Sequence, residues 1–125
     1  MTLAHAVVHT DHVNAQVLQF DAEHVVATKL HAHVHPTAQH GSAVRTQHEF
    51  FAALCDALAD VANVLVTGPH TALEDLRRYV GKHRPALAPQ IAAYVVVDHP
   101  TENQLVARAR TFFAERVRLG TSSTA

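Results

Sequence analysis

The chain has 125 residues, of which 48% are apolar, and this is the size and composition of a single domain with a substantial hydrophobic core. Its longest apolar run, residues 91–97, is far shorter than the roughly 20 residues of a membrane-spanning helix. No signal-peptide pattern opens the sequence, and the single cysteine, Cys55, excludes an internal disulfide. We therefore expect a cytoplasmic protein.

The charges are balanced overall but unevenly divided along the chain. Ten basic and eleven acidic residues give a net charge of −1, which excludes a protein whose whole surface clamps nucleic acid. Residues 1–68 contain two basic and six acidic side chains, whereas residues 69–125 contain eight basic and five acidic. The second half can therefore carry a local basic patch. Twelve histidines are the other unusual feature.

The first third of the chain predicts a three-stranded antiparallel meander. Asp11 and Asn14 supply turn chemistry for the first hairpin, and residues 21–23 make the second tight connection. Residues 34–45 show no sustained period and contain Pro36, which predicts a loop. The predicted strands, rich in β-branched and apolar residues, are β1 at 3–9, β2 at 15–21 and β3 from 24 to about 33.

The rest of the chain predicts alternating helices and strands. Apolar residues at helical spacing predict three helices, and two nearly continuous apolar runs predict strands buried on both faces. Each helix start carries a Thr followed three residues later by Glu or Gln, which is the capping-box pattern. In chain order these elements are α1 from Thr46, β4 at 63–67, α2 from Thr71 to about Gly81, β5 at 91–97 and α3 from Thr101 to just before Gly120.

The element order β1-β2-β3-α1-β4-α2-β5-α3 predicts a three-layer α/β fold of the ribonuclease-H-like kind. Helical connections favour parallel strands, so we expect β4 beside β1. This gives a mixed five-stranded sheet in the order 3-2-1-4-5, with only β2 antiparallel. We expect one domain over residues 1–119 and a flexible tail over residues 120–125.

This sheet order brings most of the histidines to one edge, where the carboxyl ends of β1, β3, β4 and β5 meet and where such sheets usually bind ligands. Alternate residues of an extended strand project from one face, and neutral imidazole is a common ligand of Zn and other transition metals. The sequence therefore leaves three alternatives open: a transition-metal site, a histidine-rich surface without a ligand, and imidazoles that respond to pH or face RNA. The candidate ligands are His31, His33 and His35, with His9, His70 or His99.

Two other groups of residues are candidates for binding anions or RNA. The start of α2 offers backbone N–H groups to an anion, and its last turns are rich in basic residues. Basic residues near the C-terminal end of a helix also interact favourably with the helix dipole, and this structural role is the simpler interpretation. The anion-binding candidates are Gly68, His70 and Thr71, and the basic candidates are Arg77, Arg78, Lys82 and Arg84, with Arg108, Arg110, Arg116 and Arg118 on α3.

Catalytic patterns are weak. A nuclease of this fold class places carboxylates around two metal ions, typically with one of them inside β1, and residues 3–9 contain none. Cys55 falls on the apolar stripe of α1, which favours a core thiol over a nucleophile. The residues favour a non-catalytic protein, and a metal-dependent hydrolase is the weaker alternative.

Several segments resemble a known family. AVVHTDHVNAQVLQFD resembles the opening hairpin of the central domain of archaeal and eukaryotic class-1 peptide release factors and of Pelota. HGSAVR, the aromatic pair Phe50 and Phe51, and VLVTGPHTALEDL continue the resemblance. Small bacterial single-domain proteins described as translational machinery proteins look most similar, including a segment like VDHPTENQLVARARTFF.

The resemblance implies a ribosome-associated factor that contacts RNA through the basic end of α2 and through the loop that contains Gly41, Ser42 and Arg45. It does not imply peptide release, because release factors carry Gly-Gly-Gln in this loop, where residues 38–42 read AQHGS. The leading hypothesis is a non-catalytic translation accessory factor of the rescue, hibernation or stress type. Its partner would be the ribosome or structured RNA, and a homodimer is left open.

Overall fold

The computed structural model describes residues 4–32, 42–98 and 100–120, and the predicted helices and strands occur in the predicted order. The strands are β1 (His5–Thr10), β2 (Asn14–Phe20), β3 (Val25–His31), β4 (Asn63–Gly68) and β5 (Ile91–Val96). The helices are α1 (Ser42–Leu58), α2 (His70–His83) and α3 (Glu102–Gly120), and a 3-10 turn (Ala88–Gln90) precedes β5.

The five strands form one mixed sheet in the order β3-β2-β1-β4-β5. β2 is antiparallel to both β1 and β3, whereas β4 is parallel to both β1 and β5. The predicted α/β class and strand order are therefore confirmed. Because β1, β3, β4 and β5 run in the same direction, their carboxyl ends share one edge of the sheet.

Helices cover both faces of this sheet and give it two apolar layers. On one face, α1 and α2 bury Phe51 and Leu76 against β1, β2 and β4. On the other face, α3 packs against β1 and β2 and buries Leu105. Successive side chains of a strand point to opposite faces, so Val7 joins the α3 layer and Val8 joins the layer under α1 and α2.

The two parallel strands after α1 differ in burial. Every residue of β4 after Asn63 is buried, as predicted, because β1 and β5 flank it in the sheet and helices cover both its faces. The same prediction is wrong for β5, whose residues are all at least partly exposed. β5 forms one edge of the sheet and β3 forms the other, where Val25 and Val26 are about half exposed.

The capping box predicted at α3 is confirmed. The backbone N–H of Gln104 donates to Thr101 Oγ1 (3.1 Å), and the N–H of Thr101 donates to Gln104 Oε1 (2.9 Å). These two bonds satisfy N–H groups that have no partner inside the helix. The start of α3 is therefore encoded locally in the sequence.

The other predicted helix boundaries are wrong. α1 begins at Ser42, so Thr46 lies inside the helix and residues 42–45 are not loop. α2 begins at His70, with Pro69 as a cap residue that makes no side-chain bond, and it continues past Gly81. In both helices the backbone becomes helical before the threonine, so the motif is present without its capping role.

Gly68 makes the turn from β4 into α2. Its φ of 155° is rarely adopted by other residues, and a Cβ here would overlap the carbonyl oxygen of Thr10 at the end of β1. Glycine is needed because two backbones approach each other closely. The start of α2 is therefore held next to the β1–β2 hairpin.

Two predictions concern segments that lie partly outside the described residues. α3 extends to Gly120, and the remainder of the predicted tail, like most of the loop before α1, falls outside the described ranges. A single domain over residues 1–119 stays a prediction. Across residues 4–32, 42–98 and 100–120, no helix is long and apolar enough to cross a membrane.

Candidate functional site

An open cavity of about 230 Å³ lies between α1 and α2. Residues four apart on a helix share a face, so α2 presents Arg78 with Lys82, and Tyr79 with His83, to the same space. We call this the α1–α2 cavity. It is lined by Gln47, His48 and Phe51 of α1 and by Asp75, Arg78, Tyr79, Lys82 and His83 of α2.

Three rings meet at the α1–α2 cavity. The centroid of the Tyr79 ring lies 4.8 Å from that of His83 and 5.4 Å from that of His48, and the two imidazoles are 5.5 Å apart. Behind them Phe51, which is only 2% exposed, contacts the Tyr79 ring at 5.6 Å. Burial raises the pKa of the Tyr79 hydroxyl, which therefore stays protonated at neutral pH. The cavity thus has an aromatic wall anchored in the core.

Arg78 and Lys82 give this cavity its positive charge. Both side chains are exposed, and the Arg78 side chain retains 76% of its accessible surface. An acidic residue, Asp75, lies beside them, but its Oδ2 is 2.8 Å from His12 Nε2 and its Oδ1 is 3.5 Å from an Arg78 nitrogen. Asp75 is therefore engaged by the hairpin and by its own helix, and the open side of the cavity carries the two cations.

Arg77 and Arg84, which are also predicted to bind RNA, do not line the α1–α2 cavity. The guanidinium of Arg77 lies over the Tyr94 ring at 5.6 Å, away from the α1–α2 cavity. Arg84 donates to Asp56 Oδ1 at 2.8 Å, and this hydrogen bond is the main cause of its raised pKa. Adjacent residues of a helix differ by about 100° in direction, so Arg77 and Arg78 face different partners. The structure therefore does not bring the predicted basic group together as one patch.

Of the predicted loop before α1, only residues 42–45 lie within the described ranges. Arg45 is exposed on the first turns of α1 and lies 3.6 Å from Glu49. Ser42 begins α1, and Gly41 lies outside the described residues.

Two of the basic residues of α3, Arg110 and Arg116, contact aromatic rings on the opposite side of the sheet. Arg110 lies over the Phe20 ring at 5.7 Å and donates to the backbone oxygen of Asp21. Arg116 lies over Phe112 at 5.7 Å. These contacts indicate a structural role in covering the edge of the α3 layer.

The three residues predicted to bind an anion lie together at the start of α2. Gly68 is buried, whereas His70 and Thr71 are exposed. His70 Nε2 lies 3.1 Å from Glu74 Oε1, one turn along the helix. The carboxylate of Glu74 thus lies near the helix end where an anion would bind, and it opposes anion binding there.

The described histidines of the predicted metal site each have a separate partner. His9 Nδ1 lies 3.0 Å from Thr67 Oγ1, and His31 Nδ1 lies 2.6 Å from Asn14 Oδ1. Among the residues that the structure describes, no three His, Cys, Asp or Glu side chains are placed to hold one metal ion. The remaining candidates, His33, His35 and His99, lie outside the described residues, so the metal hypothesis stays a prediction.

Cys55 lies inside the core, only 1% exposed, as the apolar stripe of α1 predicts. Burial raises the pKa of its thiol to about 11, so at neutral pH it is almost entirely protonated. This environment suits a core residue and is opposed to a nucleophilic role.

Sequence reasoning missed His48, Tyr79 and His83 as members of a site. The sequence does contain one signal, which is two pairs of residues at i,i+4 spacing, Arg78 with Lys82 and Tyr79 with His83. The pattern does not specify which helix packs opposite them. Only the packing of α1 against α2 brings His48 to the same cavity.

Several solved structures have a similar fold, although no protein-family model and no curated protein matches the sequence. The similarity to these structures is one of fold alone, at sequence identities of 16% or less. Pelota of Archaeoglobus fulgidus superimposes with a TM-score of 0.63 at 16% identity, over 95% of this chain and 35% of that one. An archaeal translation termination factor gives 0.55 at 15% identity, over 94% and 41%.

A third structure, described as an archaeal protein, gives a TM-score of 0.57 at 14% identity over 94% of this chain. The chain spans between about a third and two-fifths of the length of these proteins. The predicted resemblance is therefore confirmed at the level of the fold.

Proposed function

We infer that this protein is a non-catalytic translation-associated factor that binds ribosomal or other structured RNA through the α1–α2 cavity. The observation that carries the proposal is the exposed pair Arg78 and Lys82 beside three rings, on a fold shared with Pelota and a translation termination factor. Within this role we propose the rescue, hibernation or stress type of accessory factor.

The balance of charge favours a local contact over a broad one. A net charge of −1 gives the whole molecule little long-range attraction for RNA. Two exposed cations on one helix face can still contact two phosphates, and each contact releases counterions. Arg45 is exposed one turn before His48 on α1, so it can extend this face.

The remaining predicted contacts have weaker support. Arg77 and Arg84 do not line the α1–α2 cavity, and Gly41 and Ser42 are supported only by the resemblance. The start of α2, with Gly68, His70 and Thr71, is the weakest contact in this proposal, because the Glu74 carboxylate lies beside it. Ribosome binding also requires the cytoplasmic location expected from the sequence.

Sedimentation with ribosomes tests this function. Purified protein is mixed with separated ribosomal subunits and pelleted at about 50 and 200 mM salt. Two phosphate contacts predict a loss of affinity of roughly tenfold between these salt concentrations. Absence from both pellets at low salt, with the protein folded, would reject the proposed function.

A further inference from the structure

The aromatic wall of the α1–α2 cavity is fixed from behind and open in front. Phe51 is buried and contacts Tyr79, whereas His48 and His83 are exposed. A ring that is held by the core loses little freedom when a ligand stacks on it. Exposed rings of this kind are surfaces on which nucleic-acid bases stack, largely independently of base identity.

The cations alternate with these rings along α2. Arg78 directly precedes Tyr79, and Lys82 directly precedes His83. Phosphates bound by the two cations would therefore lie next to a base stacked on the two rings. Among the described residues of the lining only Asp75 is acidic, and its carboxylate is engaged by His12 and Arg78.

The size of the cavity limits the ligand. Sites for whole drug-sized molecules or cofactors are commonly about 300–1,000 Å³, and this cavity is about 230 Å³. It can accommodate part of a nucleotide but not a base pair. In duplex RNA the base faces are covered by their neighbours, so stacking on a protein ring requires an unpaired base.

We propose that the α1–α2 cavity binds one unpaired RNA nucleotide, with its base on the rings of Tyr79, His48 and His83 and its two flanking phosphates on Arg78 and Lys82. This inference rests on the proposed function and narrows it to the kind of RNA that the site recognises. In this proposal the rings select single-stranded RNA, and the cations make the affinity dependent on salt.

Fluorescence anisotropy with two RNA probes tests the inference. One probe is a fluorescein-labelled, unstructured ten-nucleotide single strand, and the other is the same strand annealed to its complement. The informative variant is His48→Ala with His83→Ala, which removes exposed rings and leaves the formal charge unchanged. The matched control is His24→Ala, an exposed imidazole on the β2–β3 turn, where it pairs with Asp21.

The expected result has three parts. The unmodified protein binds the single strand about tenfold more tightly than the duplex. The double variant loses about tenfold in single-strand affinity and keeps its duplex affinity. The control His24→Ala changes neither. Circular dichroism verifies folding, and His83→Ala alone replaces the double variant if the latter does not fold.

Equal binding of the two probes, binding of neither, or an undiminished preference in the folded variant would overturn the inference. The ribosome experiment then separates the two claims. Sedimentation with ribosomes but no single-strand preference rejects the nucleotide site alone. A single-strand preference without sedimentation rejects the translation role alone.

Discussion

Tyr79 links the hydrophobic core to the candidate site at the scale of single residues. Its ring contacts Phe51 in the core, and it also contacts the exposed imidazoles of His48 and His83. Replacing Phe51 by Ala would remove this support and leave a cavity in the core, at a cost of about 3–5 kcal/mol. The position of the rings therefore depends on core packing.

The reactivity of Cys55 tests the described core. Burial raises the pKa of its thiol to about 11 from the ordinary value of 9.0, which lowers the thiolate fraction at pH 8 by about 100-fold. We predict slow labelling of the native protein by a disulfide reagent at pH 8 and rapid labelling in guanidinium chloride. Labelling of the native protein at the unfolded rate would contradict the burial of this helix face.

The β2–β3 turn predicts a specific dependence on pH. Backbone N–H groups of Glu23 and His24 donate to Asp21 Oδ1 at 2.8 and 2.6 Å, and these bonds hold the pKa of Asp21 below its ordinary value of 3.8. A carboxylate with a lowered pKa stabilises the fold above about pH 4, and this stabilisation disappears as the pH falls through its folded pKa.

Asp21→Asn keeps an acceptor for the turn but removes the charge. Its stability deficit, measured by urea unfolding, should shrink as the pH falls below about 3.8. A deficit that grows below this pH would show that the sign is wrong.

The helix starts give a prediction at the scale of elements. Thr101→Ala removes the reciprocal bonds with Gln104 and should destabilise the protein by about 1 kcal/mol. Thr46→Ala and Thr71→Ala are matched controls, because those threonines lie within helices and not at their caps. Thermal unfolding should place both controls within about 0.5 kcal/mol of the unmodified protein.

Equal destabilisation by all three substitutions would contradict the described helix starts. The threonine motif is the same at all three sites, and only the path of the preceding backbone decides whether the hydroxyl caps the helix.

The sequence predicts the elements better than their boundaries. Hydrophobic periodicity, together with the β propensity of branched residues, identifies the eight helices and strands of the described residues, although no residue of β3 is buried. It does not show that β5 is a sheet edge with partly exposed residues, since an edge strand that packs on a helix can also be apolar. The sequence also does not show that α1 begins at Ser42, because the capping-box pattern at Thr46 is a stronger local signal for a helix start.

The candidate site is less predictable than the fold because it depends on packing between helices. The sequence selects Arg78 and Lys82 correctly as neighbours of each other, but it also groups them with Arg77 and Arg84. Only the three-dimensional structure shows that Arg77 contacts Tyr94 and that Arg84 bonds to Asp56. For the same reason, His48 cannot be assigned to the cavity from spacing along α1.

At the scale of the whole molecule, the basic residues are divided between the two faces of the sheet. Arg78 and Lys82 line the α1–α2 cavity, whereas Arg108 and Arg116 lie on α3. Charge reversal at either pair changes the net charge by the same amount. Comparing the two pairs therefore separates a local contact from general electrostatic attraction.

The most direct test is ribosome sedimentation of Arg78→Glu with Lys82→Glu beside the control Arg108→Glu with Arg116→Glu. All proteins are first shown to be folded by circular dichroism. We predict that the α2 variant loses binding at about 50 mM salt and that the α3 variant pellets like the unmodified protein. Equal binding of both variants, or loss in both, would contradict a ribosome-binding site at the α1–α2 cavity.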